Sequence, residues 1–177
     1  MADSVTDLLT LERRGPIALL RLNRPAKRNA VNDSLVLALR DAFEQLDAEV
    51  RAVVIAGEGE HFCAGLDLGE LRERDAEQGL YHSRMWHKAL DAVQFGRVPV
   101  VAALHGAVVG GGLELAAATH IRVADATAFY ALPEGSRGIF VGGGGSVRVP
   151  KLIGVARMTD MMPVSYTHLR AHETRGN

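Results

Sequence analysis

The sequence predicts an α/β domain. Short runs of branched apolar residues alternate with stretches of helical period, and glycine clusters fall at the joins between a run and the helix after it. At 177 residues and 47% hydrophobic content, the chain is long enough to bury one sizeable core.

The first elements are two strands, Leu8 to Arg13 and Ile17 to Asn23, either side of a Gly15-Pro16 turn and stopped by Asn23-Arg24-Pro25. Next, with Asp33 or Ser34 as cap, Leu35, Leu39, Phe43, Leu46 and Val50 recur at helical spacing and mark one amphipathic helix. Ala52 to Ala56 is a β-branched run stopped by Gly57, as a buried strand would be, and Glu58 to Gly69 is a polar loop. A helix over roughly Gly79 to Phe95 leads to a strand at Val98 to Leu104. A helix over Leu113 to Thr119 and short strands at Ile121 to Ala124 and Ala128 to Ala131 follow, and one helix is expected over Ser146 to Met162. From Pro163 to Asn177 no apolar period remains, and the string from Ser165 to Thr174 is similar to translated sequencing-adapter read-through. Residues 163–177 are therefore set aside as an artefactual or disordered tail.

Composition excludes several classes. Twenty basic against twenty-one acidic residues leave a formal charge of -1, so no overall field recruits nucleic acid or an anionic membrane. The single cysteine, Cys63, has no partner for a disulfide or a zinc site. An acidic, mixed N-terminus without a signal sequence points to the cytoplasm. Val98 to Thr119 is almost uncharged and long enough to span a bilayer, but Pro99, the glycine run and Glu114 argue against a membrane helix. No residue cluster argues for a metal or a redox cofactor.

Eight of the nineteen glycines sit in two clusters, Gly106 with Gly110 to Gly112, and Gly142 to Gly145. Glycines so placed mark close backbone approach, either for tight packing or for a ligand. The first cluster opens a helix, where unpaired N–H groups and the helix dipole favour an anion or a developing oxyanion. A P-loop lysine is missing and no G-x-G-x-x-G occurs, so nucleotide binding is weakly supported. Two carboxylates follow: Glu114 on the first turn of that helix amid apolar neighbours, and Glu134 after Leu132-Pro133. Each alone is compatible with a capping or solvent-exposed role as well as with acid/base work. Cys63 near His61 invites a nucleophile reading, but the pair supplies no orienting third group. His105 reads as a packed or loop histidine.

Taken in order, the motifs resemble the crotonase, or enoyl-CoA hydratase/isomerase, superfamily. They are Asn23-Arg24-Pro25 with Asn29-Ala30, Phe62-Cys63-Ala64-Gly65-Leu66-Asp67-Leu68, Pro99 to Gly106, Gly110-Gly111-Gly112-Leu113-Glu114-Leu115-Ala116, and Ala131-Leu132-Pro133-Glu134 leading to Gly138 and the Gly142 to Gly145 run. The resemblance implies a crotonase-like spiral of repeated strand-strand-helix units. Residues 1–162 would form an acyl-CoA-binding catalytic domain that lacks its C-terminal helical part, and 163–177 a tail foreign to the family. It implies an oxyanion hole from the backbone N–H groups of Leu66 and Gly111, and Glu114 and Glu134 as the acid/base pair. Substrate contacts would come from Lys27, Arg28, Ala64, Leu66, Asp67, Leu68, Gly69 and Gly111, although Lys27 and Arg28 also read as a solvated basic loop. The substrate would be an acyl-CoA thioester, coenzyme A being part of the substrate and no other cofactor required. A homotrimer or hexamer would be expected of the full-length protein.

With both carboxylates in place, hydration of a 2-enoyl-CoA is the expected reaction. Double-bond isomerisation or another reaction on the same site, and an inactive acyl-CoA-binding fragment, remain open. Two residues depart from the family pattern, Val141 where many hydratases carry proline and His120 where an acidic residue is common.

Overall fold

In a computed structural model, which describes residues 3–164 and 169–170, two sheets and five helices build the domain. The larger sheet has six strands in the order β1 (Asp3–Thr6), β2 (Leu9–Arg14), β3 (Ile17–Leu22), β4 (Ala52–Gly57), β5 (Val100–Leu104) and β7 (Ile121–Ala124). Its first three strands are an antiparallel meander, whereas β3, β4, β5 and β7 run parallel. Parallel neighbours need a crossover, and the helices supply it. These are α1 (Asp33–Glu44), α2 (Ala76–Gln94) and α3 (Gly111–Ala118), with α4 (Gly145–Ile153) and α5 (Val155–Val164) beyond. A smaller sheet holds β6 (Ala107–Val109), β8 (Phe129–Ala131) and β9 (Leu169–Arg170).

The plan repeats. β2-β3-α1, β5-β6-α3 and β7-β8-α4 are each strand, strand, helix. In the β4 to α2 unit the second strand shrinks to isolated bridges, Cys63 to Val108 and Val31 to Leu66. That substitution matters for the site, because it leaves residues 63–66 as a loop pinned beside the start of α3.

Alternation along β3 and β5 sends Ala18, Leu20, Leu22, Val100, Ala102 and Leu104 into the core, the two-residue period of a pleated strand. Helix α1 buries Leu35, Val36, Ala38, Leu39 and Ala42 and is capped by Asn32, whose side chain accepts from the Leu35 amide at 2.9 Å. Helix α2 opens with a capping box between Asp75 and Gln78. Helix α3 is buried at every residue, as a run of glycine, leucine and alanine allows, with Glu114 as its only ionisable side chain.

Three expectations are corrected. The helix read through Val50 ends at Glu44, because Arg97 donates to the carbonyls of Leu46, Asp47, Ala48 and Val50 and holds them in a loop. Val50 is buried all the same, from that loop. The single helix over 146–162 is two, since Gly154 takes φ 86° and turns the chain between α4 and α5. Strands β1 and β6 were not anticipated; β6 has only three residues and is defined by its pairing with β8. Of the segment set aside as a tail, Pro163 and Val164 complete α5 and Leu169–Arg170 pair with β8. Residues 165–168 and 171–177 lie outside the described residues. Among the described residues no helix is long and apolar enough to cross a membrane.

Candidate active site

The start of α3 is built by a chain reversal. Strand β6 ends at Val109, Gly110 takes φ 52° with its amide on the Ala131 carbonyl at 2.9 Å, and Gly111 begins the helix. A β-carbon at Gly110 would meet Glu134 Oε1 at 2.7 Å, so the turn needs glycine for both its backbone and its space. Across from it, Val31 clamps the other loop: its amide donates to the Gly65 carbonyl at 2.7 Å and its carbonyl accepts from the Asp67 amide at 2.8 Å. Buried Asn29 secures the same loop by donating to the carbonyls of Glu58 and His61. The amide of Leu66 is thereby held beside α3, 3.8 Å from where a Gly111 β-carbon would stand. Among the described residues, neither the Leu66 nor the Gly111 N–H donates in any turn, loop or cap hydrogen bond.

Glu114 projects from the first turn of α3 and is 4% exposed. Its Oε1 accepts from the amides of Gly143 and Gly145 at 2.9 and 2.8 Å. Gly143 and Gly145 of the second cluster are thus explained by close approach: a β-carbon on Gly145 would lie 2.7 Å from Glu114 Cγ, and one on Gly143 3.0 Å from Oε2. Burial pushes the Glu114 carboxyl up to about 7; the Gly145 amide opposes this, the Glu134 charge adds to it, and the Gly143 amide and Arg148 oppose it.

Glu134 stands at the start of a 3-10 turn, Gly135–Arg137, and its carbonyl accepts from the amides of Arg137 and Ile139. Its side chain is 7% exposed and its Oε2 has no hydrogen-bond partner. Burial raises its proton affinity, and its own backbone amide lowers it.

Leu66, Gly111, Glu114 and Glu134 line one cavity of about 190 Å³. Sequence reading placed these four together, but missed most of the remaining wall: Asn32 and Asp33 from the start of α1, and Arg74, His82, Ser83 and Trp86 from α2 and the segment before it. His82 and Asp33 join the two helices at 2.7 Å. The only local signal for Trp86 was its place on the apolar face of α2.

The other anticipated contacts lie elsewhere. Lys27, Arg28, Ala64, Asp67, Leu68 and Gly69 are not in the cavity wall. The Asp67 carboxylate is sequestered, bonded by Arg24 at 2.7 Å and Lys27 at 2.9 Å, and these cations, Arg24 foremost, hold it at about 2. Gly69 donates to it as well, which caps a short 3-10 turn, Leu68–Glu70. Arg28 is exposed with φ 52°, Leu68 is exposed, and the Ala64 amide donates to the Arg28 carbonyl.

The nucleophile reading of Cys63 fails, because burial pushes its thiol up to about 12 and His61 Nδ1 accepts from the Ala107 amide. His105 bonds the Gly59 carbonyl and His120 accepts from the Val100 amide, both structural roles. Val141 is fully buried. Among the described residues no group of three His, Cys, Asp or Glu side chains is placed to hold a metal ion.

A spiral of strand-strand-helix units with α3 led by glycine is the crotonase fold. The chain belongs to the enoyl-CoA hydratase/isomerase family, which it matches over residues 12–175. Methylglutaconyl-CoA hydratase 1, a mitochondrial protein of Pyricularia oryzae, is 36% identical over 89% of this chain and 54% of its own length. The 2,3-dehydroadipyl-CoA hydratase of Escherichia coli is 35% identical over 87% of this chain and 60% of its own. A crystal structure from Rhodopseudomonas palustris, provisionally described as an enoyl-CoA hydratase, superposes with a TM-score of 0.91 at 62% identity, covering 93% of this chain and 64% of that one. The chain therefore spans between half and two thirds of the length of these relatives.

Proposed function

We propose that the protein adds water across the 2,3 double bond of a 2-enoyl-CoA thioester. The observation that carries this reading is the presence of two buried carboxylates, Glu114 and Glu134, and two undonated amides, Leu66 and Gly111, on one cavity.

In this reading the thioester oxygen accepts from the Leu66 and Gly111 amides. It gains charge only as the enolate forms, so each preorganised donor lowers the barrier by about 3 kcal/mol. Glu114 takes a proton from water as the hydroxyl adds to Cβ, and Glu134 gives a proton to Cα. The carboxyls end with their protonation exchanged, and solvent resets them. Burial raises both proton affinities, and more so for Glu114. Hydrogen bonding nonetheless divides the roles: two amides favour a charged Glu114, whereas the unpartnered Oε2 of Glu134 favours a protonated acid there.

Double-bond isomerisation is the second reading; a single carboxylate can shuttle the proton it requires, so the enclosure of a second favours hydration. The family resemblance also supports a trimer or hexamer of the full-length protein, and the acidic, mixed N-terminus supports action in the cytoplasm.

The test is loss of the conjugated enoyl-thioester absorbance when crotonoyl-CoA is added. Glu114→Gln and Glu134→Gln should each slow hydration by roughly 10²- to 10⁴-fold. If both variants hydrate at the parent rate, the assignment is wrong; a product with a shifted double bond and no added water would establish isomerisation instead.

A further inference from the structure

The second glycine cluster needs something to hold it, because four successive glycines have no side chains of their own to anchor them. The anchor is Arg148. It lies in α4, one turn past that cluster, and is 8% exposed. Its Nη1 donates to the Gly143 carbonyl at 2.8 Å. The rest of its guanidinium reaches across to α2, where Nε donates to Gln94 Oε1 at 2.6 Å and Nη2 to Asp91 Oδ1 at 2.5 Å. A planar fork that fills three acceptors on two elements fixes their relative position in a way a flexible ammonium does not.

The peptide that Arg148 grips is flanked on both sides by peptides whose amides meet Glu114. Gly143 presents its carbonyl to Arg148 and its amide to Glu114 Oε1, and Gly145, one residue beyond Gly144, donates to the same oxygen. Gly144 is held in the left-handed region at φ 93°, with Arg148 and the His87 ring of α2 close around it. The titratable and charged groups facing this turn are therefore Arg148, Asp91, His87 and Glu114.

We propose that Arg148 is a positioning residue: by locking the Gly143 carbonyl to Asp91 and Gln94 of α2, it fixes the two amides that orient the Glu114 carboxylate toward substrate water. It touches no substrate itself. Its effect is transmitted from the Gly143–Gly144 peptide to the two peptide units that flank it, which carry the Gly143 and Gly145 amides, with Asp91 and Gln94 as the supports that aim the guanidinium. The inference rests on the reading of Glu114 as the base, but its test does not depend on turnover.

The experiment follows the Glu114 carboxyl by carbon NMR in the 177-residue protein labelled at glutamate Cδ, the signal being assigned by its loss in Glu114→Gln. Arg148→Met should move the Glu114 titration midpoint upward by several tenths of a unit to about one unit, as a nearby cation and two ordered amides are lost together. Arg148→Lys should restore less than half of that shift, because charge returns without the fork. Gln94→Ala, which leaves Arg148 in place and removes one support, should shift the midpoint in the same direction and serves if Arg148→Met does not fold. In hydration assays the same variants should lower kcat more than they raise KM. A folded Arg148→Met or Gln94→Ala protein with an unmoved Glu114 midpoint would overturn the proposal. A moved midpoint in a protein that hydrates nothing would sink the hydratase reading and leave the positioning role standing.

Discussion

Replacing Glu114 by glutamine should make the protein more stable at alkaline pH while disabling it. The carboxyl is enclosed, and its proton affinity rises from an ordinary 4.5 to about 7 in the folded chain. The unfolded chain ionises at the lower value. Stability from the protonated form is therefore complete below 4.5 and lost as pH rises through about 7. At about 1.4 kcal/mol per unit, the whole interval corresponds to about 3 kcal/mol, most of which falls between roughly pH 5 and pH 8. Glutamine imitates the protonated acid: its carbonyl oxygen can still accept from Gly143 and Gly145, and it has no charge to desolvate. Urea denaturation of parent and Glu114→Gln proteins across that range measures the difference. The gap should open in favour of the variant by about 2 kcal/mol as pH rises, the Glu134 contribution remaining in both. Parallel curves, with no change in the gap, would refute the claim that Glu114 is ionised at a cost inside the fold. Active sites that hold charge against burial commonly trade stability for function in this way.

Two further outcomes are expected. Gly145→Ala would place a β-carbon 2.7 Å from Glu114 Cγ and 2.8 Å from Val141 Cγ1, so the turn must move; a loss of about 1–3 kcal/mol in a thermal melt and a roughly hundredfold fall in hydration should follow, and an unchanged rate would show that the glycine amides do not aim Glu114. Asp67→Asn removes the carboxylate shared by Arg24 and Lys27 and should cost about 1–2 kcal/mol at neutral pH. Because the folded Asp67 titrates at about 2 rather than 3.8, that contribution is present above 3.8 and lost as pH falls toward 2, so denaturation midpoints of parent and variant should converge in acid. A gap independent of pH would mean that charge is not what holds the loop.

Much of the framework was legible because it is written in local pattern. Strands β3, β4 and β5 are runs of branched residues with a two-residue or continuous apolar period. Helix α3 announces itself as an apolar run led by three glycines. Errors came where a distant group decides a local outcome. Helix α1 stops at Glu44 because Arg97, more than fifty positions away, takes the carbonyls that follow. Strand β6 is too short to show a period and exists through its pairing with β8.

The candidate site divides along the same line. By itself the sequence determined which chemical groups are available: two carboxylates, glycines where side chains would obstruct, and amides at the head of a helix. It determined their family resemblance too, since ordered motifs survive as text. Tertiary structure alone decided that Asp67 is bound up by Arg24 and Lys27 and that α2 contributes His82, Ser83 and Trp86 to the cavity wall. It also decided which carboxylate is cradled by amides and which has an oxygen left bare. The physical reason is that burial, proton affinity and hydrogen bonding depend on what surrounds a group in space, and parallel crossovers bring together segments dozens of residues apart that no local period connects.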